Sequence, residues 1–192
     1  MPPKTKITCE MILEAGMKII REEGDDNLNV RKIADALGCS TQPIMYQFST
    51  VEKLKSALYT RVDEYHSEYL MNFGNMGEKP MLSIGLRYIL FAVEEKNFFR
   101  FLFQSNKYTN MNFTQLLNGY DEGLSPIYTI LEQEAGITPA QSREAFASLF
   151  ISAHGLASLL ANNAMLYDEN YCIGILENVF HGVIGRMKGI EE

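Results

Sequence analysis

The sequence of 192 residues has no tryptophan, only three cysteines and no long apolar run. Cys9, Cys39 and Cys172 are widely spaced, which is typical of free thiols rather than of a disulfide framework. A membrane helix needs roughly 20 consecutive apolar residues and a signal peptide needs a shorter apolar block, and the sequence has neither pattern. We therefore expect a cytoplasmic protein that has no membrane partner.

Motifs of catalysis are missing as well. The sequence has no nucleophile motif, no glycine-rich phosphate loop and no carboxylate pair with a defined role. The three histidines, His66, His154 and His181, are single, and none lies at metal-ligand spacing from a cysteine or a carboxylate. The sequence therefore predicts no enzyme activity, no catalytic residue, no metal site and no cofactor.

Charge is distributed unevenly along the chain, whose net charge is −7. Residues 1–61 carry nine basic and eight acidic side chains, which gives a net charge of +1. Residues 62–192 carry eight basic and sixteen acidic side chains, which gives a net charge of −8. The acidity thus belongs to the C-terminal part. A basic surface on the N-terminal part, and with it a nucleic-acid partner, stays compatible with the total charge.

Apolar residues recur at helical spacing along almost the whole chain, and no strand-like alternation persists, so the predicted fold class is all-α. Two short helices joined by a tight turn form a helix-turn-helix pattern in "VRKIADALGCSTQPIMYQF", residues 30–48. Asn29 and Ser40 are placed to cap the two helices, and Gly38 ends the first. Ile44 and Phe48 assign one face of the second helix to the core. Its other face carries Thr41, Gln42, Pro43, Met45 and Tyr46.

In helix-turn-helix proteins the second helix lies in the DNA major groove, and its first residues meet base edges. Gln42 can pair with adenine, and Thr41 can contact a thymine methyl group. Lys53 and the start of the next helix are natural phosphate partners, and Ser49 and Glu52 have capping-box spacing there. The alternative is a generic three-helix domain with a solvated polar face.

The same stretch resembles the tetracycline-repressor (TetR) family of transcriptional regulators over residues 7 to about 60. That family has a V-R-x-I-A-x-x-L-G helix, a V-S-x-x-x-L-Y-x-H-F recognition segment and then K-E-x-L, and this chain has "VRKIADALGCSTQPIMYQFSTVEKL". The resemblance implies a three-helix DNA-binding domain in residues 1–60, with the recognition helix at about 41–48. It also implies a helical effector-binding and dimerisation domain in residues 61–192.

Three positions depart from the family pattern: Met45 replaces its tyrosine, Gln47 its histidine and Val51 its lysine. That tyrosine and that lysine are phosphate contacts in the family, so we expect no polar phosphate contact from Met45 or Val51. The predicted DNA-binding residues are Arg31, Ser40, Thr41, Gln42, Pro43, Met45, Tyr46 and Lys53.

Residues 65–130 are rich in aromatic side chains and hold 13 of the 21 phenylalanines and tyrosines. Apolar walls with a few hydroxyl groups suit a small apolar or aromatic effector, although the rings could equally fill a core. The predicted pocket residues are Tyr69, Phe73, Tyr88, Phe91, Phe103, Tyr120, Tyr128 and His154.

The last two predicted helices, from Thr138 to about residue 165 and over about 169–188, are strongly apolar. The first is apolar nearly all round and must be covered on more than one side. Two such helices per chain can build an intersubunit four-helix bundle, or they can be core helices of a monomer. The predicted interface residues of a homodimer are Phe146, Phe150, Ala153, Ala157, Leu160, Ile173, Leu176, Phe180 and Val183.

These patterns together predict a ligand-responsive DNA-binding transcriptional repressor. It would bind a pseudo-palindromic operator in double-stranded DNA as a homodimer. The alternative is a helical small-molecule carrier or interaction protein that does not bind DNA.

Overall fold

The computed structural model describes residues 7–72, 79–105 and 124–189. In these ranges all regular secondary structure is helical, which confirms the predicted all-α class. A 3₁₀ turn, Asp25–Asn27, follows the first helix. The α-helices are α1 (Cys9–Glu23), α2 (Val30–Ala36), α3 (Thr41–Phe48), α4 (Val51–Met71), α5 (Pro80–Glu94), α6 (Lys96–Phe103), α7 (Ser125–Ala135), α8 (Pro139–Ala161) and α9 (Glu169–Met187).

The chain divides into two compact units. The first comprises Met1–Glu68 and Glu95–Ser105, and the second comprises Tyr69–Glu94 and Asn106–Glu192. Helix α6 therefore belongs to the N-terminal unit, whereas the sequence analysis placed it with residues 61–192. The functional boundary after residue 60 stays a prediction.

The N-terminal unit has a core of aliphatic side chains from its first four helices. Ile12, Ile33 and Ile44, from α1, α2 and α3, are fully buried. Helices α1 and α4 approach closely at Gly16, where an added Cβ would lie 2.8 Å from Leu58 Cδ2. A larger residue at Gly16 would have to displace Leu58, so this contact fixes the pairing of the two helices.

Helix α6 is bound to this unit by its aromatic side chains. Phe98, Phe101 and Leu102 are almost completely buried. The Phe101 ring lies 5.9 Å from Tyr59, and the Phe98 ring meets Tyr65 edge-on at 5.8 Å. Aromatic pairs at this separation add to the stabilisation from burial alone, so α6 is an integral part of the unit.

The C-terminal unit packs α5, α7, α8 and α9 around a second core. Thr138 and Gln141 form a reciprocal capping box at the start of α8. A carboxylate oxygen of Glu134 accepts the Met81 backbone N–H at 2.8 Å, which satisfies a free donor at the start of α5. Burial raises the pKa of Glu134. The core includes Met81, Ile84, Tyr128, Leu131, Ala145, Phe146 and Ile184.

Helix α8 is long and apolar enough to cross a membrane by length and composition alone. The sequence analysis found no continuous apolar run there because serines and His154 interrupt the helix. Ala145, Leu156, Ala157 and Leu160 are buried within the protein. A core helix meets the same test of composition, and packing within the chain accounts for the apolar character of this side of α8.

Candidate functional site

The turn between α2 and α3 is set by backbone hydrogen bonds. The Gly38 N–H donates to the Asp35 carbonyl at 3.1 Å, and the Cys39 N–H donates to the Ala34 carbonyl at 2.9 Å. This is a Schellman ending, and it places Gly38 at a φ of +62°, where any side chain would be strained. The chain therefore leaves α2 in one defined direction and enters α3 at Thr41.

The start of α2 is capped as the sequence predicted, and the start of α4 is capped differently. The Asn29 side chain accepts the Lys32 N–H at 3.0 Å. At α4, the Thr50 hydroxyl accepts the Lys53 N–H at 3.2 Å, so Thr50 and not Ser49 is the cap. Ser49 has a positive φ of 61°, which is not the extended conformation of an N-cap.

Helix α3 has one buried and one exposed face. Ile44 and Phe48 are buried, and they orient the helix on the unit. Tyr46 is 85% exposed, and Thr41 and Gln42 are also exposed. Gln42 and Tyr46 are four residues apart and lie together on the side opposite the core, and Thr41 is exposed at the start of the helix.

The eight predicted DNA-binding residues lie on α2, in the turn that follows it, on α3 and on the first turn of α4. Pro43 and Met45 are half-buried on the flanks of α3. Pro43 is the third helical residue, where the missing N–H removes no intrahelical bond. The remaining six are exposed, namely Arg31, Ser40, Thr41, Gln42, Tyr46 and Lys53. The binding of DNA by these residues stays a prediction.

The positive charge available on this side of the unit is limited. Lys32 pairs with Glu23 and also donates to Asn27 Oδ1 at 3.2 Å. Arg61 pairs with Glu10 at 2.8 Å, and that carboxylate raises the pKa of Arg61. Among the described residues, Arg31 and Lys53 form no ion pair. They are the cations among the predicted DNA-binding residues, and neither is neutralised by an ion pair.

The first turn of α4 also carries an acidic group. Hydrogen bonds from the Glu52 backbone N–H and from the Thr50 hydroxyl lower the pKa of Glu52. The carboxylate thus already interacts with donors at the start of this helix. A phosphate approaching the same N-terminus would meet fewer free donors and a negative charge. Lys53 would therefore have to supply most of the attraction for a phosphate at this position.

Several predicted pocket residues meet in one aromatic cluster of the C-terminal unit. The Tyr88 hydroxyl lies 2.8 Å from His154 Nδ1. The Phe150 ring stacks on His154 at 5.5 Å and on Phe146 at 5.8 Å. The Phe146 ring meets Tyr128 edge-on at 5.3 Å. We call Tyr88, Tyr128, Phe146, Phe150 and His154 the aromatic cluster.

The aromatic cluster has two polar features. Burial lowers the pKa of His154, so the imidazole is neutral at neutral pH. The Tyr128 hydroxyl is buried and has no hydrogen-bond partner within the described part of the chain. A hydroxyl of this kind costs free energy until another group bonds to it.

The other predicted pocket residues are not part of this cluster. Tyr69 and Phe91 contact each other at 5.3 Å in the C-terminal unit, and the Tyr69 hydroxyl donates to Glu94 at 2.6 Å. Phe103 lies in the N-terminal unit, where its ring meets His66 at 5.2 Å. Phe73 and Tyr120 lie outside the described residues.

The structure separates the predicted interface residues into two groups. Four are half-buried, namely Phe150, Ile173, Phe180 and Val183. The other five are buried within the single chain, namely Phe146, Ala153, Ala157, Leu160 and Leu176. The five buried side chains pack within their own unit, and a role in a dimer interface stays a prediction for all nine residues. Phe146 and Phe150 also belong to the aromatic cluster.

Apolar residues that the sequence analysis did not select are exposed on these helices. Ile151 and Leu159, two turns apart on α8, are each 48% exposed, and Tyr171 on α9 is 58% exposed. Leu166, in the connection between the helices, is 91% exposed. Because α8 is apolar nearly all round, periodicity could not separate this outer face from the inner one.

No family model and no curated protein matches the chain. Solved structures do match it, among them the following two. A TetR-family transcriptional regulator from Streptomyces coelicolor has a TM-score of 0.68 and 15% sequence identity, over 95% of this chain and 89% of its own. A TetR-like transcriptional regulator from Rhodococcus sp. RHA1 has a TM-score of 0.60 and 15% sequence identity, over 92% of this chain and 95% of its own. The chain thus has the fold of these TetR-family regulators, which confirms the predicted resemblance at the level of the fold.

Proposed function

We propose that the protein is a DNA-binding transcriptional regulator that acts as a repressor and binds a pseudo-palindromic operator as a homodimer. The observation that carries this proposal is the exposed face of α3. Thr41, Gln42 and Tyr46 project from a helix that the Gly38 turn and the buried Ile44 hold in place. A rigid helix with exposed, uncharged hydrogen-bonding groups suits base edges and phosphate oxygens in a major groove.

Each side chain has a distinct role in this proposal. Gln42, in the first turn of α3, can make a paired contact to adenine. Tyr46, one turn later, can donate a hydrogen bond to a phosphate. Lys53 and Arg31 supply the charge that neutralises phosphates on either side.

Two of the three departures from the family pattern, at Met45 and Val51, bear on the contacts with the DNA backbone. Met45 and Val51 are half-buried, so they contribute packing at the places where the family has polar phosphate contacts. This chain would therefore make fewer backbone contacts on each half-site. We expect operator affinity to depend more strongly on base contacts made by Gln42.

Selection of bound DNA from a random pool tests the proposal. The wild type and Gln133→Ala, an exposed glutamine in the C-terminal unit, should recover the same two-fold symmetric site. The double variant Gln42→Ala with Tyr46→Ala should lose that site, because both side chains act on the DNA side of α3. Recovery of the same site by the double variant would show that α3 does not read the sequence.

We also propose that the C-terminal unit binds a small apolar or aromatic effector at the aromatic cluster. The rings of Phe146 and Phe150 supply apolar contact, and the Tyr128 hydroxyl is available to bond to a ligand. A neutral His154 makes the cluster unsuited to stabilising an anion. An effector that binds one arrangement of the unit better than another shifts the population of the two. The long helix α4 would carry that shift to the recognition helices and weaken operator binding.

A carrier or interaction protein without DNA binding is the second candidate. The observation that favours it is the engagement of Lys32 and Arg61 in ion pairs, which leaves few cations for phosphates. The two candidates differ in salt dependence, because phosphate neutralisation makes DNA affinity fall steeply with salt. Neither requires a catalytic step, a metal or a cofactor.

A further inference from the structure

The Tyr128 hydroxyl is a buried polar group in the core of the C-terminal unit. Tyr128 is 8% exposed and lies among apolar side chains of α5, α7, α8 and α9. Its ring meets Phe146 edge-on at 5.3 Å, and its hydroxyl has no hydrogen-bond partner within the described part of the chain. Buried polar groups of folded proteins are nearly always hydrogen-bonded, so this hydroxyl requires an explanation.

The stability of the fold does not explain this hydroxyl. A phenylalanine ring would fill the same place and keep the contact with Phe146, without the free-energy cost of an unsatisfied donor. Tyr88 of the aromatic cluster shows the usual arrangement, since its hydroxyl lies 2.8 Å from His154 Nδ1. The Tyr128 hydroxyl is therefore suited to a bond with a group that does not belong to the chain.

The Tyr128 hydroxyl offers a proton rather than a negative charge. Burial raises the pKa of Tyr128, and the positive charge of Arg143 offsets only part of that effect. The phenol thus stays protonated at neutral pH and can donate one hydrogen bond. A ligand that satisfies this donor needs an acceptor atom, such as a carbonyl oxygen.

The surroundings of the hydroxyl favour an uncharged acceptor over a carboxylate. Ile84, Leu131 and Phe146, which belong to the same core, are apolar. Arg143 is exposed on α8, so solvent screens its charge and it would offset little of the cost of burying an anion. The rings of Phe146 and Phe150 suit an aromatic body next to the acceptor.

We infer that the effector is an uncharged aromatic molecule with a carbonyl-type acceptor, to which the Tyr128 hydroxyl donates a hydrogen bond. This inference rests on the proposed effector site at the aromatic cluster and specifies its ligand. Phe150 and His154 are only half-buried, so the cluster reaches solvent at one end, and the hydroxyl lies at the other. A ligand that binds along the rings satisfies at Tyr128 a donor that is unsatisfied in the free protein.

Two probe molecules of nearly identical shape test the role of the hydroxyl. Acetophenone has a carbonyl group where α-methylstyrene has a methylene group, so only acetophenone can accept the hydrogen bond. The dissociation constants of both probes are measured by NMR titration of the whole chain. We expect Tyr128→Phe to weaken the binding of acetophenone by about tenfold, the effect of one hydrogen bond in a buried site. The binding of α-methylstyrene should be unchanged or slightly tighter.

Two matched controls accompany this comparison. Tyr167→Phe removes a hydroxyl from the same unit outside the aromatic cluster, and it should keep the wild-type ratio of the two dissociation constants. Benzoate has the same ring as acetophenone and a carboxylate in place of the ketone. It should bind the wild type about tenfold more weakly than acetophenone, because its charge would be buried without a partner.

The carbonyl stretching frequency of bound acetophenone gives a readout that does not depend on affinity. A hydrogen bond to the carbonyl oxygen lowers this frequency. With acetophenone labelled at the carbonyl carbon, the frequency in the wild-type complex should be lower than in an apolar solvent and lower than in the Tyr128→Phe complex. The comparison with the solvent needs only the wild type, so it holds even if Tyr128→Phe does not fold.

The outcomes separate the inference from the proposed function. An equal ratio of the two dissociation constants in the wild type and in Tyr128→Phe would make the inference wrong while the effector site stands. Tighter binding of benzoate than of acetophenone would also overturn it, because the effector would then be an anion. If neither probe bound the wild type, the effector site would fail together with the inference, whereas the proposed binding of DNA by α3 would be unaffected.

Discussion

Tyr46 is 85% exposed on a helix whose opposite side, at Ile44 and Phe48, is buried. Its ring and hydroxyl suit a surface that is covered by a partner with both apolar and polar groups. Gln42 lies one turn earlier on the same face. At the residue scale, the candidate interface is therefore a small set of uncharged groups, and its cations are Arg31 and Lys53.

Removal of the hydroxyl from Tyr88 and from Tyr128 should change the stability of the protein in opposite directions. The Tyr128 hydroxyl is buried without a partner in the described ranges, whereas the Tyr88 hydroxyl bonds to His154. Tyr128→Phe should raise the free energy of unfolding by about 1 kcal/mol and Tyr88→Phe should lower it by about 1 kcal/mol. Thermal or denaturant unfolding measures both, and each variant is the matched control of the other. Equal effects would show that Tyr128 has a partner in the folded protein.

His66 should make stability fall in mild acid. Burial lowers the pKa of His66 from 6.5 to about 4. Between these values the unfolded chain binds a proton and the folded chain does not, so stability is full above pH 6.5 and is lost as the pH falls towards 4. The loss should be about 2 kcal/mol at pH 5 and roughly 3 kcal/mol near pH 4. The free energy of unfolding at pH 7 and at pH 5 is compared between the wild type and His66→Leu, which isolates the contribution of His66. An equal loss of stability in both proteins would contradict the prediction.

At the scale of elements, α8 has two apolar faces with different roles. Ala145, Phe146 and Leu156 are buried in the core, whereas Ile151 and Leu159 remain exposed in the single chain. An outward apolar face on the same helix is suited to an isologous contact with a second copy. The proposed dimer interface is therefore centred on Ile151 and Leu159 of α8, and Tyr171 of α9 is a further exposed apolar side chain.

A charge on this outer face should prevent dimer formation. Leu159→Glu places a carboxylate where the proposed interface is apolar, and burial of an unpaired charge costs several kcal/mol. We expect a folded monomer by sedimentation velocity. Ala140→Glu, which adds the same charge at an exposed position in the first turn of α8, should remain dimeric. A dimeric Leu159→Glu would place the interface elsewhere.

The sequence predicted those features of the elements that depend on local contacts. The Asn29 cap, the Gly38 turn and the start of α8 after Thr138 each involve residues within a few positions of one another. The faces of α8 and the membership of α6 were not predictable in the same way. Periodicity cannot assign an inner side to a helix that is apolar all round, and the packing of Phe98 against Tyr65 joins residues far apart in the chain.

The site residues, too, could be predicted where they depend on local spacing and could not where they depend on contacts between distant parts of the chain. The exposed face of α3 follows from the spacing of Ile44 and Phe48, so Thr41, Gln42 and Tyr46 could be selected in advance. Phe103 was placed with the pocket on aromatic composition alone, and it lies in the N-terminal unit against His66. Composition predicts that rings will pack, but not which rings will meet.

At the scale of the whole molecule, acidity is concentrated after residue 61, where the net charge is −8 against +1 for residues 1–61. In the proposed function the N-terminal unit binds DNA, and the C-terminal unit binds the effector and forms the dimer. The two proposals are linked by α4, which runs from the N-terminal unit into the C-terminal unit across Glu68 and Tyr69. Regulation would then be a change in the population of two arrangements of the dimer rather than a change in the DNA-binding residues themselves.

The most direct test of DNA binding is the equilibrium constant for the selected operator as a function of salt concentration. We expect its logarithm to fall linearly with the logarithm of salt concentration. Lys53→Gln should make the slope shallower by about 0.9 for each phosphate that is no longer neutralised, or about 1.8 for a dimer. Lys188→Gln, in the C-terminal unit, should keep the wild-type slope. Absence of binding, or binding that does not change with salt, would contradict the account and favour a carrier without DNA binding.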